Sequence, residues 1–141
     1  MTDLATEAPG PRRVVAAALI DRQARVLITQ RPDGKWQAGR WEFPGGKVEP
    51  GEEEEAALRR ELQEELGVRV DAARRLAEVT HDYGDRQVLL ALWLVQRHEG
   101  EARGLEGQAL RWVGFRELAA ADLLEADAPL LPVLQGLIDA G

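Results

Sequence analysis

Apolar and polar positions fall into blocks of two different periods along the chain. Residues 14–20 (VVAAALI) and 26–29 (VLIT) are β-branched, apolar runs on either side of the turn-like residues 21–24, which predicts a β-hairpin. Residues 31–40 are polar and carry Pro32, Gly34 and Gly39, so a loop is expected there. Residues 41–44 (WEFP) predict a short strand ended by Pro44 and Gly45-Gly46. From residue 52 to 66 the spacing changes: Ala57, Leu58, Leu62 and Leu66 recur at helical intervals, and Gly67 stands where a helix C-cap belongs. Residues 76–83 and 87–96 predict a second hairpin around Gly84-Asp85, and residues 110–113 a further short strand. Residues 115–121 and 130–138 read as helices, with Pro129 and Pro132 near the start of the second. Strands on both sides of one strong helix, with helices late in the chain, point to an α/β sandwich built on a mixed sheet.

Composition narrows the function classes. A chain of 141 residues fits one domain, expected over 12–141 behind a flexible lead-in at 1–11. No apolar run is long enough for a bilayer-spanning helix, and the acidic first ten residues do not read as a secretory signal. The absence of cysteine excludes disulfides, thiol catalysis and cysteine-ligated zinc, and suits a reducing cytoplasm. The absence of serine excludes a serine nucleophile. With 18 basic against 25 acidic residues the net charge is -7, a poor basis for gripping polymeric nucleic acid.

The chemistry concentrates at residues 46–68, GKVEPGEEEEAALRRELQEELGV. At about 100° per residue, Glu65 lies roughly 40° from Glu61 and Glu64 about 60° to the other side, while Leu58, Leu62 and Leu66 occupy the neighbouring arc. Carboxylates crowded this way repel unless a cation offsets them. Oxygen ligands without cysteine or a nearby histidine fit Mg²⁺ or Mn²⁺. Such an ion also lets an acidic protein hold a polyphosphate and activates a bound water. A glutamate-rich helix with Arg59 and Arg60 as partners can equally be a solvated face. The glycines of Pro44-Gly45-Gly46, which permit close backbone approach, are not needed for that bland reading.

Gly46, five residues, Glu52, seven residues, Arg60-Glu61-Leu62, one residue, Glu64-Glu65, one residue, Gly67-Val68 resembles the signature of the Nudix hydrolases. The resemblance implies an αβα sandwich with a mixed β-sheet and metal-dependent hydrolysis of nucleoside diphosphate derivatives. Matched by position, Glu61, Glu64 and Glu65 resemble metal ligands, with the Gly45 carbonyl a further one. Glu52 resembles a supporting acid, and Arg60 a residue that orients Glu61.

The likeness extends over about residues 12–140, through Ile28-Thr29-Gln30-Arg31, residues 41–47 (WEFPGGK), Glu106-Gly107-Gln108 and Trp112, which resemble the MutT-type branch. That branch includes 8-oxo-dGTP diphosphatases and CTP pyrophosphohydrolases. It implies Mg²⁺-dependent cleavage of a free nucleotide to monophosphate and pyrophosphate, with water attacking the β phosphorus. Arg31 falls on a phosphate contact, Gly46 and Lys47 beside it, and Glu106 on a loop carboxylate near the metal; Glu61, Glu64 or Glu106 is the expected base. Where the branch has a base-reading Asn, this chain has Asp127, which either accepts from an amino-bearing base, donates if burial keeps it protonated, or caps the last helix. This leaves a pyrimidine triphosphate such as CTP or 5-methyl-dCTP open beside oxidised dGTP. Tyr83 is the expected base-stacking or strand-end aromatic; its position also allows a dinucleoside polyphosphate hydrolase. Trp36 is a candidate for the base pocket, whereas Trp41, Trp93 and Trp112 are expected in the core. A non-catalytic nucleotide sensor is the alternative of another class, and the oligomeric state is not legible.

Overall fold

The computed structural model describes residues 11–140; apart from Pro11, the expected lead-in lies outside them. The elements are β1 (Arg12–Ala18), β2 (Val26–Gln30), β3 (Trp41–Glu42), β4 (Gly45–Lys47), α1 (Glu54–Leu66), β5 (Arg69–Asp82), β6 (Gln87–Glu99) and β7 (Leu110–Val113). Helix α2 (Phe115–Ala120), a 3₁₀ turn (Ala128–Leu130) and α3 (Leu131–Ala140) follow. One sheet has the order β4-β1-β6-β5, with β1 parallel to β6 and the β1–β4 and β5–β6 pairs antiparallel; the second is antiparallel, β3-β2-β7.

Period-two alternation in β1 divides the core. Val15 and Ala17 face Leu58, Leu62 and Leu66 of α1, whereas Ala16 and Ala18 join Leu118, Leu130 and Leu134 from the late helices. Helices therefore cover both sides of the strands, the mixed α/β sandwich expected. Among the described residues no helix is long and apolar enough to cross a membrane.

The turn at Asp21 forms as expected, with the Arg25 amide donating to the Asp21 carboxylate at 2.8 Å and one bridge pairing Ile20 with Val26. The flanking strands do not form a hairpin ladder. Both edges of β1 are taken by β4 and β6, so β2 departs into the second sheet. Gly45-Gly46 also differs from expectation: these residues do not simply end a strand but form β4 themselves. A Cβ on Gly45 would lie 2.0 Å from the Val15 carbonyl oxygen, so only glycine lets this strand approach β1.

Helix α1 begins two residues late because Glu52 folds back to accept the Glu49 amide at 2.9 Å. Its acidic first turn suits the helix dipole, and Gly67, at φ 69°, ends it in the left-handed conformation expected. The β5–β6 hairpin is longer than expected. Irregularities in register at Val70/Ala72, Ala72/Ala73 and Arg75/Ala77 erase the alternation that would have marked the start of β5. Trp41, Trp93 and Trp112 are partly buried against the core clusters.

Residues 122–127 strap the C-terminal part onto β3. The Trp41 amide donates to Asp122 at 2.8 Å and the Leu124 amide to Trp41 at 2.9 Å. Arg40 adds ion pairs at 3.0 Å with both Asp122 and Glu125 and donates to the Leu123 carbonyl.

Leu58 is fully buried between α1 and β1. Leu58→Ala is expected to cost about 2–5 kcal/mol of stability, read from urea unfolding; a loss below 1 kcal/mol, far under the range seen for buried leucines, would contradict this packing.

Candidate active site

Two adjoining clefts share Arg31, Glu42 and Gly45 as a common wall. The first is acidic. Glu61 and Glu65 reach it from α1, Glu106 from the β6–β7 loop, and Glu42 from β3. Burial, reinforced by the charges of Glu61, Glu106 and Glu42, pushes the Glu65 carboxyl up to about 9, with the Gly45 amide pulling the other way. One Glu65 oxygen, Oε2, is buried without a hydrogen-bond partner. Burial also raises Glu61, with Arg60 opposing and Glu64 and Glu106 adding to the rise.

Arg60 braces this helix face. Its fork grips Glu52 through Nε at 3.0 Å and Nη2 at 2.9 Å, while Nη1 donates to Glu61 at 2.9 Å and Nη2 to the Lys47 carbonyl at 2.9 Å. The Arg60 hydrogen bonds, with the Glu49 amide, hold Glu52 down at about 2. Glu52 thus anchors the arginine that anchors Glu61. Gly46 completes the cradle: a Cβ there would meet the Glu61 carboxyl carbon at 2.3 Å and both its oxygens at 2.5 Å. Glu64 lies at the exposed rim, 3.7 Å from Arg60, rather than along the cleft wall.

These residues fit a hard divalent cation. An orphaned buried carboxylate oxygen, two carboxyls raised by burial and by neighbouring acids, and a glycine-bounded recess call for more positive charge than Arg60, Arg31 and Lys35 bring. Among the described residues no three acidic or histidine side chains already stand at metal-ligand geometry. Glu61, Glu65, Glu64 at the rim and the Gly45 carbonyl remain the candidate ligands, with Glu106 facing them.

The second cleft lies past Arg31, which pairs with Glu42 at 3.1 Å. Its floor is Asp127, buried and accepting the Phe43 amide at 2.9 Å. Burial and the Glu42 charge push the Asp127 carboxyl up to about 8, against the Phe43 hydrogen bond and Arg31. The capping alternative is corrected: Asp127 stands ahead of the 3₁₀ turn, but its side chain makes no cap bond and turns to Phe43 instead. Tyr83 accepts the Ala126 amide at 2.7 Å and meets Trp36 edge-to-face, with ring centres 4.7 Å apart. Arg86 lies 4.4 Å over the Trp36 ring. Lys47 lines the same cleft, as an exposed residue at its mouth.

Two residues here escaped the sequence reading. Glu42 gave no signal beyond its place in the WEFP run, since its importance comes from lying on the wall between both clefts. Arg86 follows an ordinary turn, and only the fold brings it onto Trp36.

Comparison with known proteins agrees with this arrangement. The NUDIX domain profile matches residues 10–134. The chain is 41% identical over 123 residues to the CTP pyrophosphohydrolase of Escherichia coli K12, covering 87% of this chain and 91% of that one. It is 35% identical over 125 residues to the 8-oxo-dGTP diphosphatase of the same organism, covering 89% and 97%. The solution structure of the E. coli ORF135 protein superposes with a TM-score of 0.78 at 40% identity, covering 92% of this chain and 91% of that one. The chain therefore belongs to the Nudix hydrolases, and its layered mixed-sheet architecture is the Nudix fold. Within that family it stands in the MutT-type branch.

Two outcomes follow from the geometry. Gly46→Ala places a methyl group against the flexible end of Glu61 rather than against backbone. It should leave the melting temperature nearly unchanged yet cut metal-dependent turnover roughly 100-fold; full activity would show that Glu61 need not sit there. Asp127 titrates near 3.8 when unfolded and at about 8 when folded. Between those values the native state holds a proton that the unfolded state has lost, so stability present below the lower pKa is lost as pH rises towards the upper one. The melting temperature of Asp127→Asn relative to the unmodified protein should therefore climb from pH 4 to pH 8; a difference independent of pH would contradict a raised Asp127.

Proposed function

We propose that this protein hydrolyses free nucleoside triphosphates to a nucleoside monophosphate and pyrophosphate with Mg²⁺, Mn²⁺ being able to substitute. The observation that carries the reading is continuity: the acidic recess, with its orphaned Glu65 oxygen, opens across Arg31 into a pocket floored by Asp127. One end suits polyphosphate chemistry and the other a planar base.

A divalent ion held in the recess would neutralise phosphate charge and make a bound water more acidic. The protein's own contributions are distinct. Glu61, Glu65, Glu64 and the Gly45 carbonyl would hold the ion. Arg60, locked by Glu52, keeps Glu61 directed inward. Arg31, at the junction of the clefts, contacts a phosphate, with Gly46 and Lys47 lining the same passage. Glu61, Glu64 or Glu106 takes the proton of the attacking water. The new bond forms from that water to phosphorus, at the β position by family resemblance, and the bridging bond to the α phosphate breaks.

On the base side, Trp36 and Tyr83 supply aromatic surface and Asp127 reads an edge. At neutral pH burial keeps Asp127 largely protonated, so it offers an O–H beside a carbonyl, much as an Asn offers N–H beside a carbonyl. This supports cleavage both of an oxidised guanine nucleotide and, as the second reading, of an amino-pyrimidine such as CTP or 5-methyl-dCTP. The first corresponds to cleansing the cytoplasmic nucleotide pool of mutagenic precursors before DNA synthesis. The names of the two E. coli relatives fit one reading each.

A panel of 8-oxo-dGTP, dGTP, CTP, 5-methyl-dCTP, a dinucleoside polyphosphate and ADP-ribose, ranked by kcat/KM, tests this. Pyrophosphate release from a mononucleotide with Mg²⁺, abolished by chelator and lowered about 10²–10⁴-fold by Glu61→Gln, is expected. Asp127→Asn should alter the ranking. Binding without turnover would instead mark a nucleotide sensor.

A further inference from the structure

The loop that carries Glu106 is built onto the C-terminal end of α1. The last carbonyls of a helix lack intrahelical partners, and this loop supplies them. The Arg103 amide donates to Leu66 and the Leu105 amide to Glu65, each at 3.0 Å. Gln108 makes the connection that bears on the acids. Its Nε2 donates to the Glu65 carbonyl at 3.2 Å, and its Oε1 accepts the Glu106 amide at 2.9 Å. One planar amide thus bridges the backbones of two residues whose carboxylates face the same recess. The charge of Glu106 is felt by both Glu61 and Glu65, so their separation matters electrostatically.

We infer that Gln108, itself on the wall of the recess, is a positioning residue that sets Glu106 against the Glu61–Glu65 pair and so closes the cation recess, acting through Glu106. The chemistry requires an amide. The bridge needs a donor and an acceptor on one rigid end, which a carboxylate lacks and a methionine of similar length lacks altogether. The neighbouring chain is shaped around this residue: a Cβ on Gly104 would fall 2.3 Å from the Gln108 backbone oxygen and 3.3 Å from its side-chain Oε1, and Gly107, at φ 80°, turns the chain between Glu106 and Gln108.

The inference rests on the acidic recess being the cation site, and its test separates from the substrate reading because it uses the metal alone. Mn²⁺ affinity is measured by electron paramagnetic resonance in the unmodified protein, Gln108→Met, Glu106→Gln and the double variant. Gln108→Met is expected to weaken Mn²⁺ binding roughly tenfold, as loss of a partner that orients a ligating group does. Glu106→Gln should do at least as much, and adding Gln108→Met to it should cost nothing further. Gln108→Asn, too short to span both groups but equally polar, should match Gln108→Met and stands in if that variant misfolds. The matching fall in kcat should appear with nucleotide KM little changed. Unaltered Mn²⁺ affinity in Gln108→Met and Gln108→Asn overturns the inference, as does an equal second loss in the Glu106→Gln background or normal binding by Glu106→Gln itself. A closed Mn²⁺ cycle without nucleotide turnover would leave Gln108 standing and remove the substrate reading instead.

Discussion

Negative charge gathered in a partly buried recess is the constraint around which this molecule is arranged. Helix α1 buries Leu58, Leu62 and Leu66 completely on one side, which fixes its rotation against the sheet. The adjacent side must then carry Glu61 and Glu65 inward, where water is scarce and Glu106 and Glu42 are close. The leucines therefore do more than stabilise: their burial forces acids into a place they would otherwise leave. Arg60 relieves part of this strain at Glu61 but does not reach Glu65.

The crossing between the two sheets couples that recess to the cleft floored by Asp127. Three consecutive residues do the work. Phe43 offers its amide to Asp127, Pro44 gives its carbonyl to the Ala17 amide at 2.8 Å, and Gly45 presses against β1 while lining both clefts. The cleft floored by Asp127 and the acidic recess are thus supported from opposite ends of one short segment. Glu42, immediately before it, feels both sites and raises both Glu65 and Asp127.

Much of this was legible in the sequence because the helix pattern is strong. The leucine spacing and the Gly67 cap derive from local geometry and α1 carries them as read, whereas of the expected carboxylate arc Glu61 and Glu65 enter the recess and Glu64 stays at its rim. The β1–β2 hairpin was misread because a turn signal says nothing about which sheet receives each strand. The early part of β5 was illegible because its bulges break the two-residue period. Asp127 could be picked out by position, but its choice of Phe43 over the helix end depends on contact across 84 residues. Glu42 and Arg86 acquire their importance from neighbours distant in the chain, and Gln108 from joining its near neighbour Glu106 to the distant Glu65.

The strap at residues 122–127 differs in kind from the helix that supports the acids. Arg40 ties it down through Asp122 and Glu125, whose side chains are 72% and 49% exposed, whereas α1 rests on leucines with no exposure at all. Dissolved ions screen the first kind of contact and barely affect the second. The two adjoining clefts are therefore tuned differently: ionic strength can slacken the fastening beneath the cleft floored by Asp127 while the acidic recess keeps its shape.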